Sequence, residues 1–168
     1  MLDAKTKEII GVYGLLLASI ICGFVPMIIF AVFAAIFFSL ALFVAGQKRR
    51  KSYIDNDILL TSHMTYIIRT VWISSFIGLI TVTIASIYVL KTYDPGPVSI
   101  CLNDMMTGAA TQDLEACFTN FAHANMGIFI RGTIIAAVPL VLYLALRLVH
   151  GIKDACAKKP IANPKTWL

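Results

Sequence analysis

The residues that most often carry out chemistry are scarce in this chain. It has three histidines, and none of its four cysteines belongs to a Cys-x-x-Cys pair. There is no His-Glu-x-x-His signature, no Gly-x-Ser-x-Gly turn and no glycine-rich phosphate loop. No stretch therefore carries recognisable catalytic chemistry, and no metal or cofactor is expected. Charge is scarce too. Charged residues make up 14% of the 168, against 59% hydrophobic ones, and the mean hydropathy of +0.84 lies outside ordinary soluble composition.

The longest gap in charge says most. No Asp, Glu, Lys or Arg falls between Ile9 and Gly46, a run of 38 residues. A helix needs only about 20 apolar residues to cross a hydrocarbon core, so the run implies an integral membrane protein. A cleaved signal peptide fits poorly, because its apolar core is only ~7–15 residues long. Cys22 follows Ser19-Ile20-Ile21, which lacks the small residue expected just before a lipoprotein cysteine. The first helix reads as a retained anchor.

Cys22-Gly23-Phe24-Val25-Pro26 interrupts the run and the basic block Lys48-Arg49-Arg50-Lys51 closes it. Two helices, about 9–24 and 26–46, are expected there as a hairpin. A third, about 63–90, follows the polar break at Asp55-Asn56-Asp57, with Thr61 or Ser62 as its cap. Asp94-Pro95-Gly96-Pro97 stops it, because proline lacks the backbone donor a helix needs. A polar loop, 91–124, leads to a fourth span at about 125–149, with Pro139 as an expected kink, and to a tail, 150–168. The class is all-α, one polytopic membrane domain with four transmembrane helices; the alternative is three, with residues 9–46 as a single helix.

Charge placement decides between them at this level. Ten of the fourteen Lys and Arg residues cluster at Lys5 and Lys7, Lys48 to Lys51, and Lys153, Lys158, Lys159 and Lys165. With four spans all ten share one face with both termini, and only Lys91 lies opposite; with three spans the division is eight against three. The positive-inside rule favours four. The same distribution accounts for the net charge of +5 without a nucleic-acid partner.

Several polar residues stand out beside or inside the spans. Arg69 has Tyr66 and Trp72 three residues to either side, on its own helical face, and His63 lies six residues earlier. A charge inside hydrocarbon is costly. His63, Arg69 and Trp72 thus form either a polar site or a helix anchor, with Arg69 stacked on Trp72 and Tyr66 at the interface. Arg147, His150 and Trp167 read as interfacial lipid anchors. Cys101 and Cys117, in the far-side loop, are candidates for a disulfide if that side is oxidising. A soft copper set of Cys101, Met105, Met106, Cys117 and His123 would match no standard spacing.

Two stretches resemble a known group. Ser62-His63-Met64-Thr65-Tyr66-Ile67-Ile68-Arg69-Thr70-Val71-Trp72-Ile73 resembles the histidine-to-"IRTFW" segment of a family of small bacterial inner-membrane proteins of unknown function, with Val71 in place of the usual phenylalanine. Arg147-Leu148-Val149-His150-Gly151-Ile152-Lys153 and Pro160-Ile161-Ala162-Asn163-Pro164-Lys165-Thr166-Trp167-Leu168 resemble that family's "RxxxGL…PIxNPxTWL" ending. The family is distantly similar to the channel-like subunit of the chloroplast inner-envelope import machinery. The resemblance implies a multi-pass protein of the bacterial inner membrane with both termini cytoplasmic, and it implies no activity.

The functional expectation is a non-enzymatic accessory or structural subunit of a larger inner-membrane complex. Its partners would be membrane lipids and other membrane subunits or copies of itself, with the polar tail available for docking. The alternative is a small transporter or channel component acting as an oligomer, with His63 and Arg69 as its polar lining.

Overall fold

The computed structural model describes residues 3–23, 25, 28–106 and 114–166. Pro26, Asp113 and Trp167 lie outside them, as do the side chains of Asp104 and Met105. The described residues form helices α1 (Ala4–Gly23), α2 (Ile28–Ile54), α3 (Ile58–Thr92), α4 (Gly96–Met106), α5 (Leu114–Ala124) and α6 (Met126–Cys156), and no strand. The protein is all-α, and α1, α2, α3 and α6 are each long and apolar enough to cross a membrane. It is a multi-pass membrane protein.

The opening apolar run is two helices packed on each other, which rules out a single long helix. The Val25 amide donates to the Cys22 carbonyl at 3.2 Å as the chain leaves α1. A Cβ on Gly23 would lie 4.0 Å from the Ala34 Cβ, so the end of α1 sits against α2.

Helix α2 does not stop at Gly46. It runs through the basic block to Ile54, because lysine and arginine are good helix formers and no breaker intervenes. The chain then turns at Asn56, whose φ of 53° is the left-handed cap conformation that asparagine tolerates. The Asp57 amide reaches back to the Ser52 carbonyl at 2.9 Å, as expected of that cap. Asp57, rather than Thr61 or Ser62, caps α3: its Oδ1 accepts from the Leu60 amide at 3.1 Å.

Two compact units emerge. The first comprises Met1–Phe76 and Leu142–Leu168. Its core takes Ile9, Val12, Tyr13 and Leu16 from α1, one stripe at helical spacing, with Ala41 and Ala45 from α2 and Leu60, Met64, Ile67 and Val71 from α3. Leu148 and Ala155 of α6 and Ile161 of the tail complete it. At its polar edge Lys5 pairs with Asp57 at 2.6 Å, Lys158 with Asp3 at 3.4 Å, and Lys48 with Glu8. Hydrogen bonding to Thr6, with Lys158 adding less, holds the Asp3 carboxyl down to about 2. The Lys5 ammonium, then the Leu60 amide, lowers that of Asp57.

The second unit is Ile77–Val141. The segment read as a polar loop contains α4 and α5, which pack together and are joined by a Cys101–Cys117 disulfide with Cα atoms 6.0 Å apart. Asp94 and Pro95 end one helix and start the next: the Asp94 carboxylate accepts from the Gly96 amide at 2.9 Å, and the Pro95 carbonyl from Ser99 at 3.0 Å. Asn125 is fully buried between α5 and α6. Its side chain accepts from the Asp94 amide at 2.7 Å and donates to the Asp94 carbonyl at 3.0 Å and the Phe121 carbonyl at 3.1 Å. Phe121 also packs edge-on between Tyr93 and Phe129. Helix α6 continues through Pro139 as one element.

Candidate functional site

The densest group of buried polar side chains lies in the first unit, where α1, α3, α6 and the tail meet. Arg147 of α6 is 2% exposed. Its guanidinium lies over the Tyr66 ring, 3.6 Å from the centroid. Nε donates to Thr70 Oγ1 at 3.1 Å and Nη1 to the Thr166 carbonyl at 3.3 Å. The Tyr66 hydroxyl donates to the Arg147 carbonyl at 3.3 Å. Helical spacing sets up the α3 side, since Tyr66 and Thr70 lie four residues apart on one face and Thr70 also donates to the Tyr66 carbonyl at 2.8 Å.

His63 is fully buried. Its Nε2 lies 3.0 Å from the Lys159 carbonyl and its Nδ1 3.2 Å from the Tyr13 hydroxyl, and the two rings meet edge to face. A carbonyl only accepts, so Nε2 carries the proton toward Lys159 and Nδ1 of the neutral ring accepts from Tyr13. A backbone carbonyl cannot take that proton up, so the pair forms a strut between α1, α3 and the tail. Gly151 permits the close approach of α6, because a Cβ there would collide with the Tyr13 ring and hydroxyl.

The tail is already docked on its own chain. The Ile161 amide donates to Ser62 Oγ at 3.2 Å, and the Ile161 side chain is buried. Together with the His63 and Arg147 bonds, these contacts strap residues 159–166 across α3. The tail is thus held on its own chain, while Lys159, Pro160, Ala162, Asn163, Lys165 and Thr166 stay exposed. Beside the strap lies a cleft of about 360 Å³, lined by Tyr66, His150, Asp154, Lys159, Asn163 and Thr166 among others.

The residues singled out in the sequence fare differently. His63 enters the cluster, whereas Arg69 and Trp72 do not. Arg69 is exposed and Trp72 is 67% exposed, while Tyr66 is turned inward and is occupied by Arg147. Arg69 therefore does not stack on Tyr66; it lies on the exposed face, and the arginine that meets Tyr66 is Arg147. Arg147, expected to anchor at the lipid interface, is buried because Tyr66 and Thr70 supply a face and an acceptor for it. His150 remains outward, 3.3 Å from Asp154 on the next turn. Cys101 and Cys117 spend their sulfurs on each other, which removes the thiolates a copper set would need, and no group of three or more His, Cys, Asp and Glu side chains suited to a metal occurs among the described residues. Of the other residues in the cluster, Thr70, Gly151 and Thr166 fall inside the resembling stretches with no role attached to them there, and Tyr13 is signalled only by buried-face spacing in α1.

No protein-family profile, curated protein or solved structure matches the chain.

Proposed function

We propose that this chain is a non-catalytic accessory or structural subunit of a larger membrane assembly, seated in a bacterial inner membrane with both termini cytoplasmic. The outward face of α2 carries this reading. Val32, Ala35, Ile36, Ser39, Leu40 and Phe43 recur at helical spacing around a shallow apolar groove of about 690 Å³. Small residues at its centre, Ala35 and Ser39, let another helix approach closely, and close packing rather than hydrophobic expulsion drives helix association in lipid. The lack of catalytic motifs, and His63 held in a fixed strut, support a non-enzymatic role. The ten clustered cations support the orientation, and the likeness of the α3 and tail motifs to the small inner-membrane family agrees with it.

Purification in mild detergent followed by native mass spectrometry tests the proposal. A stoichiometric heterologous membrane subunit is expected, released by Ala35→Leu or Ser39→Leu without a change in the melting temperature of this chain. A monomer, or a homo-oligomer supporting Arg69-dependent flux in liposomes, would overturn it. The exposed Cys156 thiol tests orientation: an impermeant maleimide added to intact cells should leave it unlabelled.

A further inference from the structure

Arg147 is buried without an anion. Its direct acceptors are a hydroxyl, Thr70 Oγ1, and a carbonyl, that of Thr166, and it belongs to none of the ion pairs among the described residues. Its Nη2 is buried and has no hydrogen-bond partner. One turn earlier on α6, the Tyr143 hydroxyl is also buried and unpartnered, and it lies within electrostatic reach of the guanidinium. Unsatisfied donors and an uncompensated charge are both costly away from water.

The surroundings indicate what would satisfy them. Tyr66 and Thr166, direct partners of the guanidinium, also line the cleft of about 360 Å³ beside the strap. Lys159 adds an ammonium there and His150 an imidazole, and Asp154 adds one carboxylate, already 3.3 Å from His150. The exposed apolar residues Leu142, Leu146 and Val149 of α6 run beside His150 on the same side of the helix, a surface for acyl chains.

We propose that Arg147 and Tyr143 form a binding site for a phosphate group, the headgroup phosphate of an anionic phospholipid. The phosphate enters from the cleft and replaces the Thr166 carbonyl as the acceptor for the guanidinium. A full negative charge with several lone pairs suits the fork of Arg147 better than one carbonyl does. Lys159 flanks the headgroup, and the acyl chains follow Leu146 and Leu142.

The delipidated full chain in detergent would be titrated with phosphatidylglycerol, diacylglycerol and inorganic phosphate, read by native mass spectrometry and thermal melting. Phosphatidylglycerol should bind and raise the melting temperature, whereas diacylglycerol, which lacks the phosphate, should do neither. Protection by inorganic phosphate as well would identify the anion itself as the recognised group; protection by the lipid alone would show that the chains are also needed. Arg147→Gln should weaken lipid binding at least tenfold, and Arg50→Gln in the exposed basic block should leave it unchanged. Tyr143→Phe keeps the ring and removes a buried unpaired hydroxyl, so it should fold and weaken binding severalfold, keeping the test decisive if Arg147→Gln does not fold. Equal binding of diacylglycerol, full binding by a folded Arg147→Gln, or full binding by Tyr143→Phe would overturn the proposal.

Discussion

Arg147 and Tyr66 hold each other twice: the guanidinium covers the tyrosine ring at 3.6 Å, and the tyrosine hydroxyl donates to the arginine carbonyl at 3.3 Å. One contact uses the π face and the other the polar tip, so each can be removed separately. Tyr66→Phe keeps the ring and should cost about 1 kcal/mol, the net value of one hydrogen bond. Tyr66→Leu also removes the π face and should cost a further ~1–2 kcal/mol. Thermal melts of the purified variants in one detergent check the order; equal melting temperatures would show the stacking to be without weight.

Gly151 and Tyr13 are matched in shape. Gly151→Ala should destabilise by about 1–3 kcal/mol through overpacking, because its methyl meets the Tyr13 ring. Combining it with Tyr13→Ala removes the collision. The double variant should be more stable than the sum of the two single effects by at least ~1 kcal/mol.

In the second unit, Asn125→Leu is expected to be damaging despite its similar size. It strips the Asp94 amide and carbonyl of their partners at 2.7 and 3.0 Å, at about 1–3 kcal/mol for each group left unpaired. Asn125→Asp restores only the acceptor. Hydrogen exchange at the Asp94 amide should therefore rise strongly in the leucine variant and much less in the aspartate variant.

Acid should loosen the polar edge of the first unit. Asp3, held down to about 2, and Asp57, also lowered, are more acidic in the folded chain than in the unfolded one. Their contribution is complete above the ordinary carboxylate value near 3.8 and is lost as pH falls through the folded values. The melting temperature should fall as pH drops below about 4, with a shallower fall over that range in Asp3→Asn and in Asp57→Asn.

Much of the architecture was legible because the bilayer imposes a length and the loops impose a charge bias. The 38-residue uncharged run, the Gly23 break and the clustered cations lead to four spans by arithmetic alone. The helix ends were less legible. The basic block continues α2 for two further turns, and Asp57 rather than Thr61 or Ser62 caps α3, because caps depend on a backbone turn at Asn56 that spacing does not reveal. The helices α4 and α5 were hidden because each is only 11 residues long, too short for the length of a span to reveal it.

Function-bearing residues were the least legible. Spacing places Arg69 within one turn of both Tyr66 and Trp72, but it does not say which edge of that face points inward. Tyr66 faces the interior, while Arg69 and Trp72 face out. The arginine that meets Tyr66 comes from 81 residues further along, and the carbonyl that receives His63 from 96 residues further along.

The sequence by itself determined the solvent, the helical class and the bias of charge between the two ends of the spans, since each follows from local composition and the thickness of a hydrocarbon core. Only the tertiary structure decided that Arg147 is the buried arginine and that the tail is strapped rather than free. Both depend on which faces of distant helices meet, and that is settled by packing around Tyr13, Tyr66 and Gly151.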